Sequence, residues 1–173
     1  MSNGSISLET CEEMVSGEMA TRFQIIGYLA EMLQRTHGDG IISAIKEAHF
    51  ETGKVAGTNA AKALGKNDLS TITDLFTDTS GIDLFKPEII ERTQDRVVIH
   101  WRSCPVPALL RTFKEWDFPN DFLQFLCPII ESFENGFVEG FNPELTIMTP
   151  PEIGEAGLNK NGSFCTVVIS SKD

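Results

Sequence analysis

The chain has 173 residues, of which 41% are hydrophobic and 23% charged, and its formal net charge is −11. This length suffices for one domain with a sizeable core, so we expect a single domain over residues 1–173, with 1–9 and 171–173 as loose ends. The charge excludes nucleic acid and anionic membranes as partners, because no basic patch offsets the repulsion. No apolar run is long enough to span a bilayer and no signal peptide is evident, so we expect a soluble, cytoplasmic protein.

Three helices are predicted in the first half of the chain. Thr10-Cys11-Glu12-Glu13 has the form of a capping box that begins the first, which ends at His37-Gly38-Asp39-Gly40. The second runs from Ile41 to Leu64 and carries Gly53 and Gly57 one turn apart, where another backbone could approach closely. These glycines could serve a dimer or a contact within the chain. A shorter third helix covers Leu69 to Phe76.

The apolar period then changes from 3.6 to 2, which predicts strands. Glu88–Arg92 and Arg96–Ser103 have the spacing of an antiparallel hairpin. A short helical piece at 109–113 and a helix over 122–141 follow, and Pro128 predicts a kink or a restart in the latter. The end of the chain is β-like, with strands at 145–148, 152–158 and 163–170. This order predicts an α+β fold in which N-terminal helices pack on an antiparallel sheet.

The strand that begins at Arg96 ends in an unusual set of side chains. Alternation places Val98, His100, Arg102 and Cys104 on one face. A pocket lined by this face would explain a histidine, an arginine and a thiol together. The alternative is a solvated sheet face, with Cys104 as a small core residue.

The other cysteines are ambiguous. Cys127 and Glu131 are one helical turn apart, as a thiol nucleophile and a general acid or base could be, but Cys127 also fits an apolar core. Cys165 shares a strand face with Val167 and Ile169, which favours a core position. Cys104, Cys127 and Cys165 could together bind zinc, although their wide spacing gives no local metal motif and no CxxC pair is present.

Several short motifs, in this order, carry a resemblance to a known family. They are Ser103-Cys104-Pro105 after a strand, Cys127 in a helix, Gly136-Phe137, Gly140-Phe141-Asn142-Pro143, and Asn161-Gly162-Ser163-Phe164-Cys165. The chain, from about Arg22 to Ile169, resembles the L-2-amino-thiazoline-4-carboxylic acid hydrolase family, which is in turn similar to the 4-vinyl reductase-like small-molecule-binding domains.

This resemblance implies a hydrolase that cleaves a carbon–nitrogen bond in a small cyclic amidine or a related nitrogen compound. Cys104 or Cys127 would attack the ring carbon, and Glu131 or His100 would relay protons. Arg102 would pair with a substrate carboxylate. Asn142 and Cys165 complete the expected substrate-binding set. No cofactor is required, although zinc on the three cysteines is an open possibility.

Two other readings remain open at this point. The protein could be a non-enzymatic small-molecule sensor of the 4-vinyl reductase type, in which the cysteines hold zinc. It could also be a non-catalytic subunit whose acidic surface meets a partner. In each case a homo-oligomer is compatible with the sequence.

Overall fold

A computed structural model of the chain describes residues 8–78, 85–103, 122–149 and 165–172. Helices and strands follow one another as the apolar periods predict, and the α+β class with an antiparallel sheet is confirmed. In chain order, the described elements are α1 (Leu8–His37), α2 (Gly40–Leu64), α3 (Leu69–Thr77), β1 (Pro87–Arg92), β2 (Arg96–Trp101), α4 (Phe122–Phe141), β3 (Leu145–Met148) and β4 (Cys165–Ser171).

Glycines end the first two helices, as the sequence predicts. Gly38 and Gly65 have φ angles of 77° and 65°, in the left-handed region that glycine enters without a steric penalty. The amide of Gly65 donates to the carbonyl of Ala61 at 2.9 Å and so caps α2. Asp68 caps α3, because its carboxylate accepts from the amide of Thr71 at 2.8 Å.

Two predictions about helix bounds differ from the structure. Helix α1 begins at Leu8, two residues before the predicted capping box. Helix α4 runs through Pro128 without a restart. Proline removes one hydrogen bond of the helix, but Leu126 and Ile129 on either side of it are fully buried, and their packing offsets that loss. The predicted short helix at 109–113 and strand at 152–158 lie outside the described residues.

The sheet contains four antiparallel strands in the order β1-β2-β4-β3. The predicted hairpin is present as β1 and β2, and its register shifts between Ile89 and Glu91 at a bulge. Strand β4 lies between β2 and β3, so the chain's last described strand is central. Opposite partners include Trp101 with Cys165 and His100 with Thr166.

One face of the sheet forms the core with the helices. It presents alternate residues of β2, β3 and β4 to buried side chains of α3 and α4. The members of this cluster are Ile72, Val97, Ile99, Trp101, Val138, Phe141, Leu145, Ile147, Val167 and Ile169. The opposite face carries Val98, His100 and Val168, which are buried as well. Both faces of the central strands are therefore shielded from water.

Helices α2 and α4 pack with their backbones in direct contact. A Cβ built on Gly53 would lie 2.1 Å from the carbonyl oxygen of Phe133, and one on Gly57 would lie 2.0 Å from that of Phe137. Residue numbers rise together along both helices, so the pair is parallel. The glycines predicted to admit a neighbour therefore serve a contact within the chain.

The same contact uses glycines from α4. A Cβ on Gly136 or Gly140 would lie 1.9 Å or 2.0 Å from a carbonyl oxygen of α2. Around this seam the hydroxyl of Thr58 donates to the carbonyl of Gly140 at 3.1 Å, and the ammonium of Lys54 donates to Glu139 at 2.8 Å. Two glycine pairs, one on each helix, thus set the position of α4 against α2.

Candidate functional site

His100 lies in the middle of the sheet on the face opposite to the helical core. Its side chain is only 6% exposed, and its Nδ1 atom has no hydrogen-bond partner among the described residues. Burial, followed by the nearby positive charge of Arg102, lowers the pKa of His100, and the negative charge of Glu88 opposes this effect. The imidazole is therefore neutral at physiological pH.

Arg102 follows β2 and contacts the neighbouring strand. Its Nε donates to the carboxylate of Glu88 at 2.6 Å, and its Nη2 lies close to the same oxygen. Backbone hydrogen bonds from Arg102 to Lys86 and from Ser103 to Phe85 extend the hairpin past its last paired strand residue. The guanidinium that the resemblance would pair with a substrate carboxylate thus binds a carboxylate of the protein.

An aromatic cluster surrounds the end of β2 on the core face. It consists of Phe76, Phe85, Trp101 and Phe137. The ring centroids of Phe85 and Trp101 are 4.7 Å apart, and Phe76 stacks on Trp101 at 6.4 Å and meets Phe137 edge-on at 6.1 Å. Trp101 is 9% exposed, and its indole Nε1 has no hydrogen-bond partner among the described residues. The indole N–H is therefore a hydrogen-bond donor that is buried among apolar side chains.

Cys165 stands next to this cluster. It begins β4, faces Trp101 across the antiparallel ladder, and packs half-buried against the core. Directly opposed residues of antiparallel strands share a face, with Cβ atoms about 4.5–5.5 Å apart. The thiol and the indole are therefore neighbours on the side of the sheet that meets the helices.

The sheet itself separates the predicted site residues into two groups. His100 points to one face, whereas Trp101 and Cys165 point to the other. Helix α4 packs on the side of Cys165, because Val138 and Phe141 belong to the same core cluster. His100 and Cys165 consequently do not line one chamber. Cys104 lies outside the described residues, so the role predicted for it stays a prediction.

A second group of titratable residues lies along α4. Cys127 and Glu131 are half-buried and one turn apart, as predicted, and Glu134 extends the same helix face toward Val138. Burial raises the pKa of Glu131, while the positive charge of Lys46 on α2 lowers it. Burial and then the charge of Glu131 raise the pKa of Glu134 to about 8.

Glu134 was not recognised from the sequence. The signal available was its spacing, since positions 127, 131, 134 and 138 lie on one side of a helix whose last member is a core valine. At neutral pH this carboxyl group is mostly protonated, and it can therefore donate a proton on the helix face that carries the Cys127 thiol, two turns further along. His49 on α2 also has a pKa lowered by burial.

Asn142 has a structural role at the end of α4. Its side-chain amide donates to the carbonyl of Asn67 at 2.8 Å, and its side-chain oxygen accepts from the amide of Glu144 at 2.9 Å. These bonds join the turn after α4 to the loop between α2 and α3. The substrate-binding role predicted for Asn142 remains a prediction, and both polar atoms of its side chain already contact the protein.

Within the described ranges, no three histidine, cysteine or acidic side chains are grouped closely enough to hold a metal ion. The zinc set of Cys104, Cys127 and Cys165 is left as a prediction, because Cys104 is not among those residues. None of the helices in the described part of the chain is long and apolar enough to cross a membrane.

Comparisons with known proteins identify a similar fold for this chain but no family to which it belongs. No family model matches the sequence, and no curated protein matches it. Among solved structures, the chain is similar to one described as trafficking protein particle complex subunit 3 from Naegleria fowleri, covalently bound to palmitic acid. The two share 12% sequence identity over 93% of this chain and 97% of that one, with a TM-score of 0.55. At this identity the likeness shows the fold alone.

The resemblance to the aminothiazoline carboxylate hydrolase family is therefore wrong. Neither family models nor curated proteins support it, and the structural likeness is to a trafficking-complex subunit. The structure gives physical reasons for some of the motifs. Gly136 and Gly140 admit the backbone of α2, Asn142 joins two loops, and Cys165 packs beside Trp101. Helix packing and loop contacts thus explain residues on which the resemblance to the hydrolase family was based.

Proposed function

We propose that this protein is a non-catalytic binding protein that holds a long-chain acyl group as a thioester on Cys165. The observation that carries the proposal is the position of this thiol beside the aromatic cluster, directly across the strand ladder from Trp101, whose buried indole N–H has no partner among the described residues. A thioester carbonyl oxygen on Cys165 would supply the acceptor that this N–H lacks among the described residues. The apolar tail would pack against Phe76 and Phe85.

The class of ligand comes from the structural likeness. The similar trafficking-complex subunit is described as covalently bound to palmitic acid, and palmitate attaches to proteins most simply through a thiol. We infer an equivalent use of the fold here, with Cys165 as the attachment point. An apolar chain needs an apolar lining, and the side chains around Cys165 in the core cluster meet that need.

The attachment reaction needs only an activated acyl donor, such as an acyl-coenzyme A. The Cys165 thiolate attacks the thioester carbonyl, a new sulfur–carbon bond forms, and the bond to the coenzyme sulfur breaks. The leaving thiolate takes up the proton that Cys165 released, so nothing is oxidised or reduced. No general base is assigned, because His100, the described histidine nearest in sequence, faces the opposite side of the sheet. This arrangement favours stable retention of the acyl group and does not favour its catalytic turnover.

Acylation can be tested on the purified full-length protein. Incubation with palmitoyl-coenzyme A should increase the intact mass by one palmitoyl group, and hydroxylamine at neutral pH should remove it, as expected of a thioester. Cys165→Ser should abolish the increase, whereas Cys127→Ser, which changes a half-buried thiol on α4, should not. Trp101→Phe should slow acylation while retaining the aromatic packing. The absence of a hydroxylamine-sensitive adduct, or its persistence in Cys165→Ser, would reject the proposal.

A second candidate function rests on a different observation, the Cys127, Glu131 and Glu134 face of α4. A thiol nucleophile and a carboxyl group with a pKa of about 8, two turns apart on one helix face, are suited to hydrolysis of a carbon–nitrogen bond in a small amide or amidine bound between them. Cys127 would form a covalent intermediate and Glu134 would protonate the leaving nitrogen.

The hydrolase candidate predicts turnover of such compounds by the purified protein. Glu134→Gln should lower turnover by at least about 100-fold, the usual contribution of a positioned acid. Cys127→Ser should lower it at least as much, because a serine hydroxyl is a weaker nucleophile than a thiol. Cys165→Ser should leave turnover unchanged and so serves as the matched control. Full turnover in Cys127→Ser would eliminate this candidate.

A further inference from the structure

The outward face of α1 carries a regular row of exposed side chains. Positions alternate by four and three residues, which is the spacing of the a and d positions of a coiled coil. We name this row the outer stripe, and all its members are exposed: Met14, Glu18, Thr21, Ile25, Tyr28, Met32 and Arg35. The opposite side of α1 is the one that packs, since Gly27 and Ala30 are buried there. The outer stripe is thus an amphipathic helix face that no described element covers.

We infer that the outer stripe is the interface with a second copy of this chain, with the two α1 helices antiparallel. In this pairing, Glu18 lies opposite the partner's Arg35. Thr21 then lies opposite the partner's Met32, and Ile25 opposite the partner's Tyr28. The two-fold axis passes between Ile26 and Gly27, so every pair occurs twice. Six of the seven members thus pair between the two copies, with charges of opposite sign at both ends and uncharged side chains between them, while Met14 lies beyond the last pair.

Charge selects the antiparallel orientation. A parallel pair would place Glu18 against Glu18 and Arg35 against Arg35, which are like charges at both ends. Within one chain, Glu18 accepts from Arg22 at 3.0 Å, and Arg35 donates to Glu31. In the antiparallel pair these two intrahelical ion pairs meet each other and form an alternating group of four charges at each end.

The available area is sufficient for such a dimer. Five apolar side chains on or beside the outer stripe are between 39% and 62% exposed: Met14, Ile25, Tyr28, Leu29 and Met32. About half of each is therefore accessible, or roughly 100 Å² if a large side chain presents about 200 Å². Two copies together present roughly 1,000 Å² of accessible apolar surface, which is at the lower limit of about 1,000 Å² for a specific interface. Flanking polar residues add to this area.

The test is the oligomeric state of the full chain by sedimentation velocity and by light scattering over a range of protein concentrations. We expect a dimer for the unchanged protein and a monomer for Ile25→Lys, because this substitution places two lysines beside the two-fold axis. The matched control is Val55→Lys on α2, which changes an equally exposed apolar residue away from the outer stripe and should leave the dimer intact. Circular dichroism checks that each variant is folded.

A charge-mixing experiment tests the pairing itself. Glu18→Arg alone and Arg35→Glu alone each place like charges at both ends, so each should weaken the dimer at least tenfold. An equimolar mixture of the two should form a heterodimer, because each arginine then faces a glutamate. A monomeric unchanged protein, a dimeric Ile25→Lys variant, or a mixture that does not associate would overturn the inference. Association of the unchanged monomer with a different protein through α1 would overturn it in favour of a heteromeric interface.

Discussion

The glycine seam between α2 and α4 provides a direct test of how this fold is held together. Gly53→Ala adds one methyl group at a point where the carbonyl oxygen of Phe133 would lie 2.1 Å away, with two further backbone atoms of α4 at 2.9 Å. A real Cβ essentially never approaches closer than 3.0 Å, so the helices must separate by about 1 Å. The obstacle is helical backbone, which cannot move aside as a side chain can.

The expected cost follows from two opposing effects. Overpacking a close contact destabilises a protein by about 1–3 kcal/mol, and the rigid obstacle places this case near the top of that range. Alanine in a helix interior is more favourable than glycine by up to about 1 kcal/mol, which offsets part of the loss. We therefore expect Gly53→Ala to lower the free energy of unfolding by about 2 kcal/mol.

Gly17→Ala is the matched control. Gly17 is also inside a helix, but a Cβ at this position meets no heavy atom of the described residues within 4 Å. Only the gain in helix propensity remains, so this variant should be more stable than the unchanged protein, by up to about 1 kcal/mol. Urea unfolding followed by circular dichroism, at one protein concentration, measures both changes.

The two variants should thus differ in the sign of their effect. A Gly53→Ala protein as stable as Gly17→Ala would refute the close approach of α2 and α4. The double variant Gly53→Ala/Gly57→Ala adds a further check. Once the helices have separated for the first methyl group, the second costs less, so the double loss should be smaller than the sum of the single losses.

Two further predictions concern polar groups around α4. The pKa of Glu134 is about 8 in the folded protein, against an ordinary value of 4.5. Between these pH values the folded state binds more protons than the unfolded state, so the free energy of unfolding falls as the pH rises, by at most about 1.4 kcal/mol per pH unit. Glu134→Gln should remove this decline in unfolding experiments from pH 5 to pH 8, and an unchanged pH profile would contradict a buried Glu134. Asn142→Ala loses two hydrogen bonds and should cost about 1–2 kcal/mol in urea unfolding. A loss below about 0.5 kcal/mol would show that water replaces them.

Local sequence signals determined most of the secondary structure. Gly38 and Gly65 end their helices because both residues adopt positive φ angles, and the period-2 pattern located β1 and β2 with their connecting turn. The alternation along β2 correctly divided Val97, Ile99 and Trp101 from Val98 and His100. These features depend on a few neighbouring residues, and so they can be derived without knowledge of the rest of the chain.

The candidate site could be identified only in part. Cys127, Glu131, His100, Arg102 and Cys165 were recognised as chemically notable, but their grouping depends on contacts between distant segments. Glu134 has a perturbed pKa mainly because α4 is buried against the rest of the protein, and Arg102 binds Glu88 because the hairpin places them together. No local pattern specifies either environment.

The register between β2 and β4 shows most clearly what tertiary structure decided. Trp101 opposes Cys165, and this pairing places the thiol in the core and His100 on the other face. A shift of one residue would exchange the two faces of β4 and bring Cys165 to the side of His100, because side chains alternate along a strand. The sequence alone determined the helices, the hairpin and the face to which each residue of β2 belongs. Packing of the whole chain decided that β4 pairs with β2, in which register, and that α4 packs against the glycines of α2. These contacts depend on the total burial of residues that are far apart in sequence.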